Sequence, residues 1–353
     1  MKEIFISGFV GLVLGIILED PIKNFFDLVK RRVRYKFFAP KEVVDPYYFS
    51  LGNQVTKFVV CDGDGRMILS PSNIETKLGT APLVLPEDLK NIREGFIKEA
   101  KEQSLEKNIP FWNGSLVTLD RYVITRTDST EDMKVIFNFV PSDYFTYKAL
   151  NANLNGVIHT GKTIRETYLK NIDIKNPLTV FSNGFGAVLV VITRDGKTIF
   201  TKRSEYSGVR PGELDVSIVE AVHPLHDRAF NNEGPNLYTT AIRGAKEELG
   251  IEVSLEEVKL FGFGLDEEYY QWNIVGVINS KYTSQEIMDE RSKGVSGKWE
   301  LENLRFEKFS IDNIVKVMKE ESMWSTAKVA LYWALINEYS KPSVDNKVKK
   351  IFK

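Results

Sequence analysis

The sequence predicts an α/β protein preceded by a membrane helix, and three observations support this. Fifteen uncharged residues, Ile4–Leu18, open the chain. Two strand-like runs of apolar residues flank the turn Asp195-Gly196, as in a β-hairpin. Further on, an apolar residue recurs every four positions and so forms one stripe of a helix, at Leu237, Ala241, Ala245 and Leu249.

The N-terminal run favours an uncleaved, single-pass anchor in the cell inner membrane. At 1.5 Å per residue it covers roughly 22 Å of a roughly 30 Å hydrocarbon core, so flanking residues must help or the bilayer must thin. A secretory signal is the alternative, but no small-x-small cleavage site follows Leu18. Lysines and arginines cluster after the run, whereas Lys2 alone precedes it. The positive-inside rule therefore places the C-terminal bulk in the cytoplasm.

Apolar residues continue at helical spacing between those cations, which predicts an anchor and a basic juxtamembrane helix over residues 1–38. Ser7, Gly11 and Gly15 recur every four residues within the run. Small residues at this spacing allow two helices to approach closely, so a homo-oligomer through this face is one hypothesis. The alternative is that the glycines occur there by chance.

Composition elsewhere is that of a soluble protein, with 43% hydrophobic residues, 27% charged residues and a net charge of -1. No basic field suited to duplex nucleic acid is present. Cys61 is the single cysteine, which excludes an internal disulfide and a four-cysteine zinc site. The length allows about two globular units. We predict an α+β region over 43–177, a second domain over 183–340, and a frayed lysine-rich tail over 341–353.

In the first region, the DGDG segment Asp62–Gly65 predicts a hairpin turn, and an amphipathic helix is expected to begin near Pro86. Gly156–Thr163, GVIHTGKT, matches the phosphate-loop pattern, but no buried strand precedes it as that motif requires. The simpler interpretation is a loop that ends at Thr163, whose hydroxyl and Glu166 form a capping box for a short helix.

The polar side of the helix near residue 243 suggests chemistry. Arg243 and Glu247 are one turn apart and can form an ion pair, and Glu248 projects beside Glu247. Adjacent carboxylates repel unless a cation lies between them, and a divalent metal there would also polarise a phosphoryl group. A solvated helix end is the alternative for these residues.

The order of these elements, with the pattern A-x-R-x3-E-E-L-G-I over Ala241–Ile251, resembles the Nudix hydrolase family. The resemblance implies an α/β/α sandwich around a mixed sheet and cleavage of nucleoside diphosphates linked to another moiety. It also implies that Glu247 and Glu248 are magnesium ligands, that Arg243 orients them, and that Glu248 and Arg243 are catalytic. Candidate ligand-binding residues are Lys202, Arg203, Glu220 and Trp272.

The chain departs from the family pattern at two places. Gly244 stands where the family has a glutamate, so one metal ligand is missing. His223 stands roughly where the first glutamate of the motif is expected, within AVHPL, which is similar to the CSHPL segment of type I isopentenyl diphosphate isomerases. By that likeness His223 joins Glu247 and Glu248 as a metal ligand, for Mg or Mn, and imidazole suits Mn better. A hydrogen-bonded loop histidine is the alternative.

Two functions follow. In the first, the site binds a nucleotide or cyclic oligonucleotide and relays its occupancy to the membrane. That architecture resembles the transmembrane Nudix effectors of bacterial cyclic-oligonucleotide antiphage signalling (CBASS), and it implies a role in antiviral defence. In the second, the protein is a membrane-tethered pyrophosphohydrolase in which His223, Glu247 and Glu248 hold a metal that activates water. The missing carboxylate favours the sensor.

Overall fold

A computed structural model describes residues 47–107, 111–126, 133–170, 172–204, 209–228, 233–295 and 301–353. The predicted membrane anchor and juxtamembrane helix, residues 1–38, lie outside these ranges. Within them, none of the helices has the length and hydropathy that a bilayer crossing requires.

The strands, in chain order, are β1 (Tyr48–Leu51), β2 (Gln54–Gly63), β3 (Ile74–Leu78), β4 (Ser115–Arg126), β5 (Met133–Asp143), β6 (Gly186–Ile192), β7 (Lys197–Arg203), β8 (Leu214–Asp215), β9 (Ile218–Ala221), β10 (Val258–Asp266), β11 (Gln271–Asn279) and β12 (Leu301–Lys308). The main sheet has the order β1-β2-β10-β11-β6-β7-β12, with β8 paired to β7 and β9 paired to β6. The β6–β11 pair is parallel and its neighbours are antiparallel, so the sheet is mixed, as expected. A second sheet has the order β3-β5-β4.

The helices are α1 (Glu87–Lys107), α2 (Tyr144–Leu150), α3 (Ile164–Tyr168), α4 (Leu237–Gly244), α5 (Ser284–Ser292), α6 (Ile311–Glu320), α7 (Ser325–Glu338) and α8 (Lys341–Ile351). One face of the main sheet packs against α4 and the second sheet, and the other packs against α6, α7 and α8. The arrangement gives two apolar cores with the main sheet between them. The uniformly apolar helix α7 is buried on the sheet, as its sequence predicts.

Strand β2 joins the two predicted regions of the chain. It pairs antiparallel with β10, so residues before 64 extend the sheet that residues after 183 build. The predicted hairpin at Asp62–Gly65 is therefore wrong. Asp64 does make a turn, because its carboxylate accepts from the backbone N–H of Arg66 and Met67, but the next strand, β3, belongs to the second sheet and does not pair with β2. The reason is that β1 and β10 already occupy both edges of β2.

The C-terminal segment also differs from expectation. Residues 341–353 were expected to fray, but Lys341–Ile351 forms α8. Val344 and Val348 are buried in the second core together with Phe352, and the Phe352 carbonyl accepts from the backbone N–H of Asn53. An apolar residue every four positions among the lysines gives this helix a side that can pack.

The glycine-rich segment before α3 adopts the simpler of its two interpretations. Thr163 is the N-cap of α3, and Thr163 and Glu166 form the predicted capping box. The segment folds back on itself, because Ile158 N donates to the Lys162 carbonyl and Ile164 N donates to the Gly156 carbonyl. These amides therefore do not surround a phosphate group.

Gly264 allows the close approach of β2 to β10, and its substitution tests that junction. A Cβ atom at Gly264 would collide with the carbonyl oxygen of Val59 and the ring of Phe58. We expect Gly264→Ala to lower the free energy of unfolding by about 1–3 kcal/mol, measured by urea denaturation. Gly95→Ala is the control, because space around that α1 position is open and alanine should add about 0.5–1 kcal/mol. Equal effects of the two substitutions would contradict the close approach.

Candidate functional site

Helix α4 carries the predicted site. Asn236 is its N-cap, and the side-chain oxygen accepts from the backbone N–H groups of Tyr238 and Thr239. The helix continues as a π-helical turn over Ala245–Leu249 and ends at Gly250, whose φ of 77° is the left-handed cap that glycine favours. The buried side of α4 packs in the first core, so its polar side faces β9 and the segment after it.

Arg243 is the centre of a cluster of carboxylates. Its Nη1 donates to Glu220 Oε1 at 2.9 Å and to Glu247 Oε2 at 3.3 Å. Its Nε and Nη2 donate to the two carboxylate oxygens of Asp227 at 2.8 and 3.0 Å, and Nη2 also donates to the Ala221 carbonyl at 2.8 Å. The predicted Arg243–Glu247 pair is present, but it is the longest contact of this set.

Asp227 is the member of the cluster that sequence reasoning missed. It lies between β9 and α4 in residues 224–236, an insertion relative to the Nudix pattern, and its side chain is fully buried. Besides Arg243, it accepts from the backbone N–H of His223 at 2.7 Å and from Thr240 Oγ1 at 2.8 Å. A carboxylate four residues after His223 was the available signal, but the insertion gave no reason to expect it to fold back on α4.

The three predicted metal ligands do not converge. Glu247 contacts Arg243, whereas Glu248 Oε1 accepts from the backbone N–H of Val219 on β9 at 3.1 Å. The backbone carbonyl of Glu248 accepts from Arg291 Nη1. The two adjacent carboxylates are thus directed to different partners, and no metal ion is needed to hold them apart.

His223 is a hydrogen-bonded loop histidine, which is the second of its two interpretations. Its Nδ1 accepts from the backbone N–H of Leu225 at 3.1 Å and of His226 at 2.9 Å, and the two imidazoles stack with centroids 3.9 Å apart. A neutral imidazole whose Nδ1 accepts carries its proton on Nε2, so no lone pair remains for a metal. Burial, then His226 and Arg243, lower the pKa of His223 and favour this neutral form.

The donor set therefore does not fit a divalent metal. Among the residues that the structure describes, no group of three or more His, Cys, Asp or Glu side chains is arranged to hold one. Gly244 adds a steric reason: a Cβ atom there would lie 2.8 Å from Ile218 Cγ2 and 2.9 Å from Glu220 Cβ. The glutamate that the family has at this place cannot be accommodated while α4 packs this closely on β9.

Electrostatics agree with an excess of negative charge at the cluster. Burial raises the pKa of Glu220 to about 7, Arg243 opposes this rise, and Glu247 and Asp227 add to it. The same carboxylates raise the pKa of Arg243 above its usual range, although burial opposes them. The single positive charge of Arg243 is thus smaller than the summed negative charge of the carboxylates that contact it.

The remaining ligand-binding candidates lie elsewhere. Trp272 is fully buried and its indole N–H donates to Ser182 Oγ at 3.1 Å, so the ring cannot stack on a base as predicted. Lys202 and Arg203 lie at the end of β7, which pairs with β8 and β12. The Arg243 cluster lies on other elements, β9 and α4. Of these candidates, Glu220 contacts Arg243.

A pocket of about 340 Å³ lies at the start of α4, where the segment Glu233–Tyr238 passes the edge of β3. Thr76 Oγ1 donates to the Pro235 carbonyl and Leu78 N donates to the Glu233 carbonyl, both at 2.6 Å. The lining side chains are mixed in character, with Ile74 and Leu237 apolar, and with Glu75, Thr76, Lys77, Glu233 and Asn236 polar or charged.

Neither a family model nor a curated protein sequence matches the chain. Similar solved structures include DR0079 from Deinococcus radiodurans (14% identity, 42% of this chain and 80% of that chain, TM-score 0.30). They also include a MutT protein from Methanosarcina mazei Go1, at 17% identity over 45% of this chain and 96% of that chain, with a TM-score of 0.30. A third is a MutT/nudix family protein from Enterococcus faecalis, at 8% identity over 54% of this chain and 73% of that chain, with a TM-score of 0.29. At identities and TM-scores this low, the likeness assigns neither an activity nor a site to this chain.

Restoring the family's glutamate tests the packing at Gly244. We expect Gly244→Glu to lower the free energy of unfolding by about 1–3 kcal/mol, because the side chain must displace β9. Gly95→Glu is the matched control, since it adds the same side chain where nothing lies within 4 Å. Urea denaturation of both variants gives the comparison. A Gly244→Glu variant as stable as the control would show that the site has room for the missing carboxylate.

Asp266, at the end of β10, predicts a pH dependence of stability. Burial, then Glu268, raise its pKa to about 8, although Arg210 opposes the rise. Between its ordinary pKa and about 8 the folded state keeps a proton that the unfolded state loses, so stability falls as pH rises, by up to about 1.4 kcal/mol per pH unit. Asp266→Asn should flatten the loss measured between pH 5 and 8. Asp289→Asn, an exposed control, should keep the wild-type slope, and equal slopes for all three proteins would refute the assignment.

Proposed function

We propose that this protein is a membrane-tethered nucleotide-binding sensor of Nudix-like fold, in which the carboxylates around Arg243 support the structure and do not hydrolyse the ligand. In this proposal its ligand is a nucleotide or cyclic oligonucleotide, and occupancy is relayed to the membrane in antiviral defence. The membrane part of the proposal rests on the apolar run Ile4–Leu18 and the cations that follow it.

One observation supports recognition over hydrolysis: the carboxylates of the site are already engaged. Metal-dependent hydrolysis needs carboxylates that can hold a divalent cation against phosphate oxygens. Here Glu220 and Glu247 contact Arg243, and Glu248 accepts from the Val219 N–H. These contacts stabilise the fold, and they leave the residues without a shared cation site.

The pocket at the start of α4 is the ligand site that we favour. Its volume of about 340 Å³ is within the usual range of small-molecule sites and suits a nucleoside. Ile74 and Leu237 offer apolar contact to a base. A phosphate group would compete with Glu75 and Glu233 for Lys77, which pairs with both at 3.2 and 3.5 Å. A direct route joins it to the cluster, because Asn236 N donates to the Asp227 carbonyl at 2.6 Å and the Asp227 carboxylate holds Arg243.

The second candidate is a membrane-tethered metal-dependent pyrophosphohydrolase of nucleoside diphosphate derivatives. The side chain of Glu247 is 40% exposed on the same helix as Glu248, which favours it. Turnover in Mg²⁺ or Mn²⁺ that Glu248→Gln abolishes would select this function.

The decisive experiment measures the melting temperature of the full-length protein in detergent with cyclic dinucleotides, cyclic trinucleotides, ADP-ribose and dinucleoside polyphosphates. We expect one class to stabilise the protein, by about 2.7 kcal/mol at a hundredfold excess over Kd, without release of phosphate or nucleotide in Mg²⁺ or Mn²⁺. If no class raises the melting temperature, the sensor proposal fails.

A matched pair of lysine variants tests the location of the ligand site. Lys77→Ala removes the cation at the pocket, and Lys57→Ala removes a similarly exposed lysine that also pairs with a glutamate. We expect the ligand-induced shift to decrease for Lys77→Ala and to persist for Lys57→Ala. The same shift in both variants would place the ligand elsewhere.

A further inference from the structure

The guanidinium of Arg243 is the cation that the carboxylates of Glu220, Asp227 and Glu247 contact. We infer that Arg243 is a built-in replacement for a divalent cation, so that this site needs no metal and binds none. The inference concerns this cluster and not the ligand pocket, and it rests on the proposed function only in treating the cluster as non-hydrolytic.

The first support is that the guanidinium is saturated. Arginine has five N–H donors, one on Nε and two on each terminal nitrogen. Nε donates to Asp227, Nη1 to Glu220 and Glu247, and Nη2 to Asp227 and the Ala221 carbonyl. Every donor therefore has an acceptor, and the group is fixed between β9, α4 and the insertion.

The second support is spatial. A magnesium ion binds its oxygen ligands at about 2.0–2.1 Å, which requires carboxylates from several elements to converge on one point. The nitrogens of Arg243 lie 2.8–3.3 Å from these same oxygens and occupy the space between them. A metal ion can bind these four oxygens together only if the guanidinium leaves.

The third support is that Asp227 depends on this cation. Its carboxylate is fully buried, and a buried charge is costly unless it is paired. The His223 N–H and the Thr240 hydroxyl also contact it, but neither carries a formal charge at this contact. Loss of the guanidinium would leave buried carboxylates that repel one another, which is the condition that attracts a divalent cation.

The test compares wild type, Arg243→Ala and the control Arg194→Ala, which removes an exposed arginine paired with Glu286. Melting temperatures of the full-length proteins are measured in EDTA, MgCl₂ and MnCl₂, and bound Mn²⁺ is counted by electron paramagnetic resonance. We expect wild type and Arg194→Ala to be insensitive to both metals and to bind no Mn²⁺. Arg243→Ala should melt roughly 5–15 °C lower in EDTA, recover part of this loss in MnCl₂, and bind one Mn²⁺ per chain.

Two results would overturn the inference. One is wild-type protein that binds one Mn²⁺ and loses it in Glu247→Gln, because the guanidinium then coexists with a metal. The other is an Arg243→Ala variant that gains no Mn²⁺, since Arg243 would then be an ordinary ion-pair residue. If Arg243→Ala does not fold, Arg243→Gln keeps two donors and serves the same comparison. These measurements read metal binding, so they are independent of whether a nucleotide binds.

Discussion

The buried ion pair between Arg243 and Asp227 is the interaction on which the arrangement of the site depends. Each partner compensates the other's loss of hydration, and neither charge would be tolerated alone at that depth. Through this pair one helix, one short strand and the insertion between them have a fixed relative position. The contacts of Glu220 and His223 follow from it, because the same guanidinium and the same carboxylate bind them.

The sheet extends this constraint to the first half of the chain. Since β2 pairs with β10, the α+β region before residue 177 and the region after residue 183 share a sheet and an apolar core. The second sheet covers the same face of the main sheet as α4, and the segment leading into α4 is hydrogen-bonded to β3. A molecule that binds at β3 and displaces Glu233–Asn236 would therefore also displace Asp227, because Asn236 N donates to the Asp227 carbonyl.

Local patterns predicted the elements well. Apolar periodicity identified α4, the Asp195-Gly196 turn identified the β6–β7 hairpin, and Thr163 and Glu166 identified the capping box, because these features depend on residues a few positions apart. Long-range pairing could not be read in this way. Nothing local specifies that β2 pairs with β10, that Asp227 returns to Arg243, or that the indole of Trp272 is directed into the core. The same holds for a metal site, since the convergence of Glu247, Glu248 and His223 on one point depends on partners distant in the sequence.

The lysine-bearing helix α8 brings the end of the chain back to its first described strands. The Phe352 carbonyl is hydrogen-bonded to Asn53 in the turn between β1 and β2, and Lys349, Lys350 and Lys353 are exposed beside it. If residues 1–38 lie in a bilayer as the sequence predicts, 14 residues separate that segment from Asn53. The exposed lysines at this end of the sheet would then lie within reach of anionic headgroups and be attracted to them.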